Sequence, residues 1–326
     1  GHGSLAANTT ADNNTAVGFH SLVANTTGNS LVAVGNEALT SNTTASDNVA
    51  IGHIAMQDNT TGGNNTAVGT GALGDNTTAD KNTAVGRSAL RLNTTGHSNT
   101  ATGFNSLSNN TTGSQNSAFG IEALEANTTA SNNTACGFRA LEANTTGSSN
   151  VAVGKDTLDA NTTGSFNTAI GDTALGANTT GGSNVACGAL ALDVATTGST
   201  NTAIGTHSSG SMTTGSANVS VGSFCLDGCT TGQYNVALGH DTARNISTGT
   251  NNICLGHFAG HSGSPSGAIT TGNNTVCIGN NNISSAFIKV AFQTGSDKRD
   301  KTDIKDFSFG LDWINKMRPV TYRWDN

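Results

Sequence analysis

Two kinds of position alternate along this chain on a fixed clock. In Asn82-Thr83-Ala84-Val85-Gly86 the Thr and Val take alternate places with Asn, Ala and Gly, the two-residue period of a short strand with two different faces. Two variable residues follow, Arg87-Ser88, then the small Ala89 and the apolar Leu90; two more lead into Asn93-Thr94-Thr95-Gly96. Asn99 then begins the same phrase again. A glycine column shows how strict the clock is: Gly1, Gly18, Gly35, Gly52, Gly69, Gly86 and onward to Gly256, fifteen intervals of 17 residues with no insertion. The next equivalent, Gly279, is displaced by six extra residues around the stretch Ser262–Gly267. An unbroken short period is the mark of a solenoid in which one repeat is one coil. Seventeen residues is too short for a pair of helices, and predicts an all-β fold: a parallel β-solenoid or β-roll whose coils each hold two or three short strands with tight turns.

The columns assign the faces. Leu22, Leu39, Leu73, Leu90, Leu107, Leu124, Leu141, Leu158, Leu175 and Leu192, with Met56 substituting once, form an apolar ladder when coils stack. The Asn of Asn-Thr-Thr persists from Asn8 to Asn178 and then becomes Ala195, Met212, Cys229 and Ile246, while in those coils the Leu column becomes Ser209, Leu226, Ala243 and Gly260. One column gains apolar volume as the other loses it, so both point into one interior that must stay filled. Asn25 and its successors are then a buried ladder of amides bonded between coils. The Thr/Val and Val/Ile stripe runs the whole length and needs a cover, for which further copies of the chain are the natural source. Some sixteen coils at about 4.8 Å each give a rod on the order of 75–80 Å long.

Composition narrows the function. Charged residues are only 11% of the chain and the net charge of -7 is spread out, so no basic face offers itself to nucleic acid. No run of apolar residues reaches the length of a membrane span, so membrane insertion is not expected. Regularly placed Val, Ile and Leu argue against disorder.

The repeated Asn-Thr-Ala-Val-Gly and Asn-Val-Ala-Ile-Gly elements (residues 82–86 and 48–52), each leading to Ala-Leu or Ala-Met, resemble the parallel β-roll of trimeric autotransporter adhesin heads and the repeat regions of bacteriophage tail fibres. Past residue 279 the repeat stops, and after a connector over 280–295 charge appears abruptly in 296–326, which also hold both Trp residues. The spacing of Leu311, Ile314 and Met317 predicts a helix ended by Pro319, and Val320–Trp324 alternate like a strand. This segment, through Ser296-Asp297, Arg299, Lys301, Ile304, Gly310-Leu311, Pro319-Val320, Tyr322 and Trp324, resembles the start of the α+β intramolecular chaperone domain at the C-termini of endosialidase-type phage tail spikes and fibres. That resemblance implies a homotrimer whose chaperone sets register and then cleaves itself off. It also implies roles: Ser296 as nucleophile, Lys301 as its activating base, and Ser296-Asp297 as the bond broken. Such a step is a single self-cleavage and not turnover. A serine hydroxyl needs a base to become nucleophilic, and a Lys of lowered pKa serves. A uniform repeat can align one coil out of step at little local cost, so a trimerising unit at one end has a clear use.

The resulting expectation is a shaft over 1–279 and the first part of a chaperone over 296–326. The chain would belong to a virion tail fibre, outside the cell, with other tail proteins and a host-surface receptor, glycan included, as partners. A bacterial surface adhesin of the same roll is the rival reading; a glycan-hydrolysing fibre or an ice-binding solenoid are weaker ones. The C-terminal segment favours the first, since autotransporter adhesins end instead in a membrane anchor.

Other chemistry reads as lattice. Gly69-x-Gly71-x-x-Gly74 matches a dinucleotide fingerprint but falls in repeat register with no βαβ unit around it. Cys136, Cys187, Cys225, Cys229, Cys254 and Cys277 all take small apolar columns and read as buried free thiols; Cys225 and Cys229 lack the partner pair of a zinc site. His240 and His257 share a column on adjacent coils, two ligands where a metal clip needs more, so no metal or cofactor is expected. Glu125 and Glu142 stack one coil apart at a spacing compatible with a glycosidase pair, in a column that otherwise holds Thr40, Gln57, Gly74 and Arg91. The eleven Asn-Thr-Thr sequons fall on the buried ladder and so are poor sites for sugar. Their two Thr point to opposite faces, leaving one exposed row for ice to meet.

Overall fold

The structure, a computed structural model, describes residues 1–285. Within it, Gly1–Ile283 form one compact unit of the two into which the chain divides. Sixteen strands of three residues each, from β1 (Thr15–Val17) to β16 (Val276–Ile278), pair in sequence order into one parallel sheet. The register is that of the repeat: Thr83 lies opposite Thr100, Ala84 opposite Ala101, Val85 opposite Thr102. Each residue thus meets its counterpart one coil away, as the parallel solenoid required.

Each coil holds one strand, not the two or three expected. The rest of the coil consists of turns, because its backbone repeatedly enters the left-handed region. In the coil of Val85, Ser88 (φ 58°), Leu90 (φ 52°) and Ser98 (φ 58°) all do so, a conformation costing a non-glycine residue about 1 kcal/mol or more. What holds them there is hydrogen bonding between coils. The Ser88 N–H donates to Thr70 O of the preceding coil at 3.0 Å, Leu90 N–H to Ser106 O of the following coil at 3.0 Å, and Ser98 N–H back to Asp80 O at 3.1 Å. Alternating handedness turns successive N–H groups up and down the stack, so a chain with few strand residues still satisfies its backbone.

The interior is thin. The strand's middle Ala, the small residue before the Leu, and the Leu itself are fully buried, as in Ala84, Ala89 and Leu90. The Asn of Asn-Thr-Thr is buried beside them. Its Nδ2 donates to Oδ1 of the preceding coil's Asn at 2.7–3.2 Å without a break from Asn42 to Asn178. Beyond Asn178 the column is Ala195, Met212, Cys229 and Ile246, all buried, and the Asn178 Oδ1 is left without a partner. The shared interior inferred from the coupled columns is therefore present.

A second buried amide ladder accompanies the first. From Asn48 onward the leading Asn of each coil accepts at Oδ1 from the next coil's backbone, as when Asn99 N–H donates to Asn82 Oδ1 at 2.9 Å. Its Nδ2 donates to the turn carbonyl of its own coil, Asn82 to Gly96 O at 3.0 Å, the carbonyl that Asn93 Nδ2 also reaches at 2.9 Å. This ladder continues past Asn184 to Asn252, where the first has given way to apolar side chains.

Candidate functional site

The Val or Ile that ends each strand points away from the interior. Val17, Ile51, Val85, Phe119, Val153, Ile170, Ile204, Val221, Leu238 and Ile278 form an exposed row, from 36% exposed at Val221 to 59% at Ile278 among those beyond the first coil. Alternation along a three-residue strand makes this inevitable: burying the central Ala turns its neighbours outward. The row is thus an apolar stripe left exposed along one face of the solenoid.

Cys136 and Cys187 lie in this row and are exposed, which corrects the expectation that all six thiols are buried. Their column faces out, so the substitution of Cys for Val says nothing of burial there. The other four are buried. Burial pushes the Cys225 thiol up to about 12, Cys229 to about 11 and Cys254 to about 12. Thiols so displaced are poor nucleophiles and poor metal ligands.

The other sequence candidates resolve as follows. Gly69, Gly71 and Gly74 occupy three separate places in one coil, with φ 137° at Gly69 and 67° at Gly71, and no helix follows them among the described residues. Glu125 and Glu142 come together with Glu122, one carboxylate oxygen of each lying within 4.8 Å of the others. Both carboxyls are also pushed the same way: burial raises Glu125 first, with Glu122 and Glu142 adding, and burial raises Glu142. A glycosidase needs the two held apart in pKa, so this is an acidic patch. Asp156 shows the opposite case. Burial works to raise its carboxyl, but hydrogen bonds from Lys155 and Arg139, the latter from Nε to Oδ1 at 2.8 Å, hold it below the ordinary range. Of the Thr pair, the first is half-buried and donates from Oγ1 to the next coil, Thr94 to Thr111 O at 3.0 Å, while Thr95 is exposed. Ser296 and Lys301, with the expected helix and strand near them, lie outside the described residues.

The raised carboxylates give a pH prediction. The folded chain binds the Glu142 proton more tightly than the unfolded chain does, so ionised Glu142 lowers stability, and the loss disappears as pH falls through its raised value toward the ordinary range near 4. Glu142→Gln is therefore expected to melt higher than the wild type at pH 7, with the gap closing by about pH 4. Melting curves of the pair across that range test it; a gap that widens on acidification contradicts it.

No helix among the described residues is long and apolar enough to cross a membrane. The fold so far is that of a repeat fibre with an uncovered apolar edge. The family model for the chaperone of endosialidase matches residues 296–326. No curated protein matches the chain. A β-solenoid of 17-residue coils leading into such a segment has the make-up of a tail-fibre-type protein.

Proposed function

We propose that this chain is the shaft of a phage tail fibre. Three copies associate along the exposed Val/Ile row, and a C-terminal chaperone assembles them and then cuts itself away at Ser296-Asp297. The shaft's work is mechanical, holding a receptor-binding part away from the virion, outside the cell. The observation that carries the reading is the exposed row, which runs from Val17 to Ile278 on one side of an otherwise complete solenoid. Coils bonded only to their neighbours cannot cover that row themselves, and a rod with a periodic apolar edge is best covered by an identical rod in the same register. The endosialidase-chaperone match at 296–326 supports the fibre reading over the bacterial adhesin.

The two exposed cysteines test orientation and register together. In a parallel, in-register bundle Cys136 meets only Cys136 of another copy, and Cys187 only Cys187. Mild oxidation of the assembled protein, followed by peptide mapping, is expected to give these homotypic links and no Cys136–Cys187 link. Heterotypic links, or full reactivity of both thiols in the assembled protein, would overturn the arrangement. A second expectation concerns assembly. Carried through a complete chaperone domain of this family, the chain is expected to break between Ser296 and Asp297, and Ser296→Ala to abolish the break. Intact mass reads both, and an uncut wild type that folds normally would remove Ser296 from the role.

A further inference from the structure

The end of the solenoid carries a group of ligands that the shaft does not need. His240 and His257 stand at the same place on adjacent coils, their ring centroids 5.6 Å apart. Both are exposed, and beside them lies the buried Asp241. One ligand atom from each of the three falls within 4.8 Å of the others. Asp241 Oδ1 is held by Arg244 Nη1 at 3.0 Å, and Oδ2 faces His240 Nδ1 at 2.8 Å. Arg244 thus fixes the carboxylate's orientation in the way outer partners orient metal ligands. The imidazoles are backed by aromatic rings, His240 by the edge of Phe224 and His257 by Phe258 at a centroid distance of 4.1 Å.

The chain contains its own control for the plainer reading, an ordinary ion pair. Asp156 occupies the same place in an earlier coil and is likewise buried, but its partners are Lys155 and Arg139. The residue that stacks on Lys155 in the next coil is Asp172, an anion. At Asp241 the corresponding neighbour is His257. An ion pair has no use for a second imidazole, whereas a cation does. The site also sits where the stack loosens. The Phe258 N–H reaches His240 O at 3.3 Å, against 3.0 Å for the equivalent Asp241 N–H to Ser223 O. A Cβ on Gly256 would find its nearest atom 3.5 Å away, where one on Gly171 would find backbone at 2.6 Å. The six-residue insertion follows in the same coil.

We propose that His240, Asp241 and His257 bind one divalent transition metal ion of the zinc class, which bridges these two coils and fastens the end of the repeat. Two imidazoles and a carboxylate suit such ions. Bonds of about 2.0–2.2 Å bring ligand atoms to about 3.3 Å from one another, within reach of rotation of the two exposed rings. The ion takes the place between His240 Nδ1 and Asp241 Oδ2, and water completes its coordination on the open side.

The test is calorimetric titration of the tag-free full chain with Zn²⁺, beside His257→Ala and His240→Lys. The Lys variant sets a cation beside Asp241, as Lys155 is beside Asp156, so its fold is expected to hold while the ligand is lost. The wild type is expected to bind one ion per chain and to melt at higher temperature with Zn²⁺. Each variant is expected to bind at least about tenfold more weakly, with no Zn²⁺-dependent rise in melting. No binding by the wild type, or binding that both variants retain, as an ion at the Glu122, Glu125 and Glu142 patch would give, overturns the proposal.

Discussion

Gly171→Ala is expected to unfold the shaft locally and to cost about 3–5 kcal/mol, among the largest effects open to a single methyl group. Two independent causes add. Gly171 has φ 137°, which a residue with a side chain rarely adopts, and its Cβ would stand 2.6 Å from both the carbonyl carbon and oxygen of Gly188 and 2.9 Å from Ala189 N. Those atoms are backbone of the next coil, itself held by its own neighbours, so nothing flexible can yield. Gly74 is the contrast. Its φ is not positive, and the nearest atom to an added Cβ is 3.4 Å away. Gly74→Ala is therefore expected to be neutral, or stabilising by about 0.4–1 kcal/mol through the unfolded chain. Denaturant unfolding of the two variants, with protease nicking near residue 171 as a local probe, checks the difference; equal stabilities would refute the steric account of this column.

Cutting the amide ladder in its middle is expected to be nearly as damaging. Asn110 Nδ2 donates to Asn93 Oδ1 at 2.8 Å and to Gly113 O at 2.9 Å, while its Oδ1 accepts from Asn127 Nδ2 at 2.8 Å. Asn110→Ala leaves an acceptor unpaired on one side, a donor weakened on the other and a void between. Buried groups left unsatisfied cost about 1–3 kcal/mol each, so a loss of about 2–4 kcal/mol is expected. Asn178 ends the ladder, its Oδ1 already without a partner and Ala195 next in the column. Asn178→Ala is accordingly expected to cost clearly less than Asn110→Ala. Melting and denaturant midpoints of the pair decide it, and a larger loss at Asn178 would mean that the amides do not act as a chain.

Much of this fold could be read from the residues because a strict repeat makes each column its own experiment. The Leu column and the Asn-Thr-Thr column disclosed a common interior through their coupled changes after Asn178, and Met212 and Ile246 are indeed buried where that requires. The number of strands was not readable. Leu has no preference for the left-handed region, so nothing in its identity announces that Leu90 sits at φ 52°; the coil imposes it through bonds to the next layer. The leading Asn column was visible as a column, but its bonding was not, since a strand-starting Asn gives no sign that its amide reaches a turn 14 residues on. The exposure of Cys136 and Cys187 was hidden for a related reason, because the outer column favours apolar residues as strongly as the interior does. For the histidines, the column showed the pair, but only the fold brought the Asp241 carboxylate within reach of both.

The regularity of the stack also has a meaning for heredity. Between Asn42 and Asn178 each coil satisfies the layer on each side with the same amide at the same place, so deleting or duplicating one repeat there leaves the ladder's bonding as it was. A change of any other length inside a coil would shift Asn, Leu and Gly out of their columns. The solenoid can therefore lengthen or shorten between generations in whole steps of about 4.8 Å, by recombination between neighbouring repeats that are nearly alike. Length becomes a discrete trait, adjustable without any intermediate that fails to fold.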